Sequence, residues 1–281
     1  MGMNATEIIV SKLPQIQQYL IQSSDLLLDL NYQERRSKHK NEFAKKHAAK
    51  HFSQTDEDGI TLEILRRLKK VDPDFNNRFV EFGVGDGLEN NTLVLLSLGW
   101  SGCWFGGEEL AFDNSSSKRL NFYRTWITKD NVASMCSRVL SDYLIKSFTV
   151  ASLDLDGNDY YIIECILSAG YLPSLFICEY NALFPAEAQW SIEYDENFSW
   201  VGGPYFGTSL GKLVNLFSEF GYFLCACNIQ TGANAFFVKN KFRPEFPDVS
   251  NDINDIYAPP YYKIPRFHHG IDARLVSSII S

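Results

Sequence analysis

Phe79-Val-Glu81-Phe-Gly83-Val-Gly85-Asp-Gly87 is the most informative stretch of the chain. Residues 78–82 form a short apolar run that reads as a strand, and the run ends on three glycines at alternate positions. Without a Cβ, such a turn reaches positive φ and lets a ligand lie directly on the backbone. The dinucleotide fingerprint would need glycine at position 88, where Leu88 stands. A phosphate loop would close on Gly-Lys-Ser/Thr, and Leu88-Glu89-Asn90 takes that place. Two readings remain: a ligand-binding turn of another kind, or a tight turn without a ligand.

Outward from the turn, strand and helix patterns alternate. Residues 91–98 read as a helix, with strands at 102–105, 122–127, 148–155 and 174–178. A helix follows the strand at 148–155 and runs through Leu167; another spans 210–220, and 221–227 with 234–238 reads as a closing pair of strands. Alternating units of this kind predict an α/β fold with a mostly parallel seven-stranded sheet and helices on both faces. Such sheets bind ligands at the carboxyl ends of their strands, near the switch point. Residues 5–70 read as largely helical, with Ile8, Ile9, Leu13, Ile16 and Leu20 three to four residues apart. The polar stretch SQTDEDGI (53–60) interrupts them, and Val71-Asp-Pro-Asp74 ends the last helix. The expected organisation is a helical extension at 1–75, a core at 76–240 and a tail at 241–281 packing on the core.

The formal net charge of −8 argues against a phosphate backbone as substrate, so no nucleic-acid partner is expected. Arg35-Arg36-Ser-Lys38-His-Lys40 is a local basic run, read as a solvated helix face. The six cysteines lack the paired spacing of a zinc site. Cys225 and Cys227 alternate on an apparent strand as small core residues, and reduced thiols suit a cytoplasmic protein. No signal peptide and no membrane span are expected.

Carboxylates gather at expected strand ends. Asp154 and Asp156 alternate before Gly157, and Glu179-Tyr-Asn181 closes the next strand. Oxygen ligands in that number suit Mg²⁺ or another divalent cation; alternatively, the aspartates cap the following helix and hold a ligand amine. Past the second strand, Gly106-Gly107 leads to Glu108 and Glu109, either of which could accept bonds from ribose hydroxyls. His268-His269 reads as a surface pair, or as a general base folded over the site.

Glu81 to Gly87 resembles the glycine turn of class I methyltransferases, whose cofactor is a sulfonium without phosphates. VEFGVGDGLENNTLVLLSLGWSGCW, SLDLDGNDYYIIECIL, LFICEYNALF and GTSLGKLVNLFSEFGYFLCACNIQTGANAFFV together are similar to the FkbM-type family. The likeness is to the bacterial branch encoded with surface-polysaccharide genes. It begins near Ser53, because SQTDEDGI also resembles the segment before the core of that branch. It implies a Rossmann-like methyltransferase fold and methyl transfer to oxygen or nitrogen of a small or glycan-linked acceptor. The cofactor set is then Gln54, Glu81, Gly83, Gly85, Asp86, Gly87, Asn91, Thr92, Glu108 and Asp154. Asp-Gly-Asn-Asp-Tyr is also similar to the Asp-Gly-Asp-x-Tyr block of macrocin-type O-methyltransferases, where the first Asp helps to bind magnesium. This carries over to Asp156, with Glu179 and Asn181 as neighbouring-strand candidates. Gly106-Gly107 departs from the Ile-Glu-Gly or Ile-Asp-Gly usual in the family.

Displacement at a sulfonium is mostly positioning, and a hydroxyl acceptor also needs a base or metal. Asp154, Asp156 and Tyr160 are the expected catalytic residues. Tyr160, Tyr180, Phe184, Trp190, Tyr194 and Trp200 are expected either to wall the acceptor or to pack the loops, and 181–205 is a candidate lid. The helical extension would serve homodimerisation or cover the site. A silent scaffold and a nicotinamide oxidoreductase are the rival functions.

Overall fold

Strand β1 (Arg78–Phe82) is buried from its second residue onward. In the computed structural model, which describes residues 5–261 and 272–280, it lies inside a seven-stranded sheet. β2 (Ser101–Gly106) pairs with it in parallel on one side and β4 (Val150–Leu153) on the other. β3 (Leu120–Arg124) lies outside β2, and β5 (Leu175–Glu179) lies beyond β4. β7 (Asn234–Lys239) runs antiparallel between β5 and β6 (Tyr222–Cys227). The order β3-β2-β1-β4-β5-β7-β6 is the α/β architecture expected from the sequence, a mostly parallel, Rossmann-like sheet.

The order reverses between β1 and β4, and right-handed crossovers then send helices to opposite faces. α5 (Val132–Asp142) and α6 (Asp159–Ser168) pack together, while α4 (Leu93–Ser97) packs with the last described helix, Ala273–Ile280. α7 (Leu210–Glu219) rests on β6. The central strands carry near-continuous apolar runs, as burial on both faces requires.

Before the sheet come α1 (Ala5–Lys38), α2 (Glu42–His47) and α3 (Glu57–Leu68). Phe43, Ile60, Ile64 and Leu68 join the same hydrophobic core as the strands. Asn41 caps α2 through its Oδ1 and donates from Nδ2 to the Cys225 carbonyl on β6. The basic run is no solvated face throughout. Arg35 donates to the Ile229 and Pro259 carbonyls, and Arg36 donates to those of Lys45 and Lys46.

The polar stretch at 53–60 is largely buried. Ser53, Thr55, Asp56, Glu57 and Asp58 all lie inside, and α3 already begins at Glu57. Backbone amides take up Asp56 and one oxygen of Asp58, while Asp58 Oδ1 is buried without a hydrogen-bond partner among the described residues. Asp58 Oδ2 accepts from the amides of His51, Phe52 and Ser53, and Asp56 accepts from those of Ile229 and Gln230. Glu57 Oε1 receives Asn228 and Asn234 side-chain amides, closing the β6–β7 loop onto the start of α3. The six cysteines are free, and Cys225 and Cys227 are buried. No helix among the described residues is long and apolar enough to cross a membrane.

Candidate functional site

A cleft opens at the carboxyl ends of β1 and β4, where the strand order reverses. It has two lobes that share Gly83, Gly85, Asp154 and Asp156. One, of ≈260 Å³, is lined by Gln54, Glu81, Asp86, Glu89, Asn90, Asn91 and Asn234 among others. The other, of ≈360 Å³, is lined by Gly107, Glu108, Trp126, Ile127, Asn158, Phe198 and Trp200 among others. Among the described residues, no lysine or arginine lines either lobe.

Two glycines of the turn serve different ends. A Cβ on Gly83 would lie 1.6 Å from the Asp154 carbonyl oxygen, so this glycine lets β1 and β4 close together. Gly85 has φ +51° and open space where its Cβ would be, leaving bare backbone facing the cleft.

Glu81 is buried and doubly engaged. Its Oε1 accepts from the Asn91 amide at 2.9 Å, and its Oε2 accepts from the Thr92 amide and hydroxyl. Trp104 Nε1 donates to that hydroxyl at 2.8 Å. Glu81 therefore pins the start of α4 and presents only its remaining lone pairs to the cleft. Burial raises its pKa, and the donors from Thr92 and Asn91 oppose the rise. Thr92 is fully buried behind it and lines neither lobe, so its part is to hold Glu81. Asn91 lines the lobe while its Nδ2 donates to Ser152 Oγ. Gln54 and Asp86 also line it, whereas Gly87 is backed by Leu110, Phe112 and Trp104.

The two acids after β2 separate cleanly. Glu109 is tied to Arg124 at 2.5 Å, and Glu108 lines the cleft.

Asp154, Asp156 and Glu179 converge, each offering an oxygen within 4.8 Å of the others. Strand alternation is not the cause, because β4 ends at Leu153 and Asp156 takes a left-handed φ of 54°. Asp159 holds that turn: its Oδ1 accepts from the Leu155 amide at 2.9 Å and its Oδ2 from the Gly157 amide at 2.8 Å. Burial raises the pKa of all three converging acids, and mutual repulsion adds to the rise for Asp154 and Glu179. Asp156 is lifted further by Glu108. Asp159 is pushed up to about 6, chiefly by burial. Glu179 Oε2 is buried without a hydrogen-bond partner, an orphan that a cation would satisfy. The donor set is all oxygen and fits a hard divalent ion.

Several expected residues lie elsewhere. Asn181 does not join the carboxylates: its Nδ2 donates to the Pro204 and Phe206 carbonyls and its Oδ1 accepts from Leu183. It fastens the loop after β5. Tyr160 lines neither lobe; its ring meets Tyr161 and carries Lys212 Nζ from α7 at 4.5 Å. Tyr180 is fully buried with its hydroxyl on the Ala258 carbonyl. Phe184 stacks on Trp190, and Tyr194 packs on Tyr161, so of the six aromatics only Trp200 lines the cleft. His268 and His269 lie outside the described residues.

Trp126, Phe198, Asn158 and Asp159 were not expected as site residues. Trp126 Nε1 donates to the Glu196 carbonyl, and Asn158 exchanges two bonds with Asp195, binding the loop at 194–200 to the cleft wall. A signal existed for Asp159: an acid opening a helix just after a strand-end turn is placed to accept that turn's amides.

No protein-family model matches the chain, and no curated protein matches it. Among solved structures it is similar to the MycE methyltransferase of the mycinamycin biosynthetic pathway, determined in complex with Mg and SAH. Identity is 12% and the TM-score 0.32, with 80% of this chain and 59% of that chain covered. The chain thus spans less than two thirds of that neighbour's length. A likeness at this level carries no argument; the fold rests on the strand order and the cleft at its reversal.

Proposed function

We propose that this chain is an S-adenosylmethionine-dependent methyltransferase acting on oxygen or nitrogen of a small or glycan-linked acceptor. Surface-polysaccharide synthesis by an FkbM-type enzyme in the cytoplasm is the setting that the sequence resemblance favours. One observation carries the reading: a cleft at the switch point with bare backbone at Gly85, lined among the described residues by carboxylates and amides and by no cationic side chain. That lining suits a sulfonium that also bears an ammonium group, and it repels phosphates.

In this reading the adenosine occupies the larger lobe, its ribose hydroxyls donating to Glu108 and its base against Trp126 and Ile127. The amino-acid end lies over Gly85, where Gln54 and Asn91 offer amides and Glu81 its spare lone pairs. Asp154, Asp156 and Glu179 would hold a divalent cation, which lowers the pKa of a bound acceptor hydroxyl. Asp154 and Glu179, their pKa values raised by burial and mutual repulsion, are also placed to take the acceptor proton. Asp159 keeps the Asp156 turn in register, and the loop bearing Phe198 and Trp200 covers the larger lobe.

Calorimetric titration with S-adenosylhomocysteine, with and without Mg²⁺, tests this. Binding near micromolar, about −8 kcal/mol, is the expected result. A folded protein that takes up no cofactor under either condition would leave a silent scaffold in its place.

A further inference from the structure

Helix α1 leaves the body of the protein. Residues 12–20 are exposed all around the helix, and from residue 12 onward Leu28 is the first to be buried. A helix without tertiary contacts is marginal in water, and this one carries an apolar seam on the side away from Leu28. Leu13, Ile16, Leu20, Leu27 and Leu30 are 48% to 64% exposed. They are spaced alternately by three and four residues, with Ser23 the single polar member, and Ile9 continues the spacing in sequence. That is the a/d repeat of a coiled coil, and an open patch of this size on a soluble domain marks an interface.

We propose that α1 is a dimerisation helix whose seam is covered by α1 of a second copy of this chain. A seam with a 3.5-residue repeat accepts a helix of the same repeat, and knobs of this kind do not fit an irregular partner. Apart from Lys12 at the N-terminal edge, the flanking positions (Gln17, Tyr19, Ser24, Leu26, Asn31 and Gln33) carry no charge, so two identical helices meet little repulsion. Exposed Tyr19 and Leu26 widen the same apolar face. Asp25 and Asp29 are the charged residues between Leu13 and Leu30, and both lie off the seam. With no lysine or arginine on this stretch, the helix lacks the basic polar face that holds an amphipathic helix on an anionic membrane. The seam spans roughly 27 Å at 1.5 Å per residue. The proposal rests on α1 alone and stands apart from the methyltransferase reading.

Sedimentation equilibrium at tens of micromolar decides it. The expected mass is twice the 32.0 kDa of one chain. Leu20→Glu with Leu27→Glu, both at exposed positions, should halve that mass and leave the near-ultraviolet dichroism of the core unchanged. Gln22→Glu, off the seam, should keep the dimer. A wild-type monomer, or a dimer that survives the double substitution, overturns the proposal. So does a wild-type monomer that pellets with phosphatidylserine vesicles and loses this property in the double variant.

Discussion

Replacing Gly85 by alanine separates what the turn does for the fold from what it does for a ligand. At φ +51°, an L-residue pays roughly 1–2 kcal/mol in the left-handed region. The alanine recovers about 0.4–1 kcal/mol, because it restricts the unfolded chain. No atom lies within 4 Å of the added Cβ, so packing contributes nothing further. The net loss is about 1 kcal/mol, a fall in melting temperature of roughly 2–4 °C for a chain of this size. Binding should suffer more, since the methyl fills the space the cofactor occupies against the backbone. Overpacking of that kind costs about 1–3 kcal/mol, or roughly ten- to hundredfold in S-adenosylhomocysteine affinity. Thermal melts and calorimetry on the same preparation read both quantities. Gly83→Ala is the contrast, because its Cβ collides with the Asp154 carbonyl and the strands must part. Wild-type affinity in Gly85→Ala would refute the placement of the cofactor over this turn.

Glu108→Ala should weaken S-adenosylhomocysteine binding about tenfold or more, as a charge-assisted bond contributes roughly 1.5–3 kcal/mol. Glu109→Ala should leave it within about twofold, its partner being the surface Arg124; equal effects in titration would contradict the assignment. Added Mg²⁺ should raise the melting temperature at pH 8 and lose that effect toward pH 5. Acids whose folded pKa is raised hold protons there, and stabilise the metal-free fold as pH falls through that window. Burial holds His39 and His47 below their ordinary pKa, so both act in the opposite sense as pH falls through 6.5. They act alike with and without metal, so the calorimetric difference isolates the carboxylates; an identical shift at both pH values would remove the metal site. Asn181→Ala should cost about 2–3 kcal/mol through its three loop bonds, yet leave Mg²⁺ affinity unchanged in titration. A lost metal response would return Asn181 to the ligand set.

Much of the fold could be read directly, because buried parallel strands are short apolar runs and the glycine turn marks where the first one ends. Most strand limits fell within a few residues of expectation. β4 was read too long, since Asp156 adopts a left-handed turn that favours glycine yet occurs at an aspartate, and alternation cannot foresee it. The convergence of Asp154, Asp156 and Glu179 followed from adjacent strand ends, which topology brings together. Which way each loop aromatic points did not follow, because this depends on partners such as Ala258 and Lys212 that are distant in sequence. The burial of the acidic stretch at 53–58 was equally hidden: its partners are backbone amides and the β6–β7 loop.

That acidic clasp has a consequence for the order of assembly. Gln54 and Asn234 line the same lobe, although about 180 residues of chain separate them. Glu57 reaches Asn234 directly, and Asp56 holds the amides of Ile229 and Gln230. During synthesis the glycine turn is therefore made early, but the wall opposite it waits for the last two strands. A nascent or truncated chain that stops before β7 carries the sequence signature of the pocket without the pocket itself.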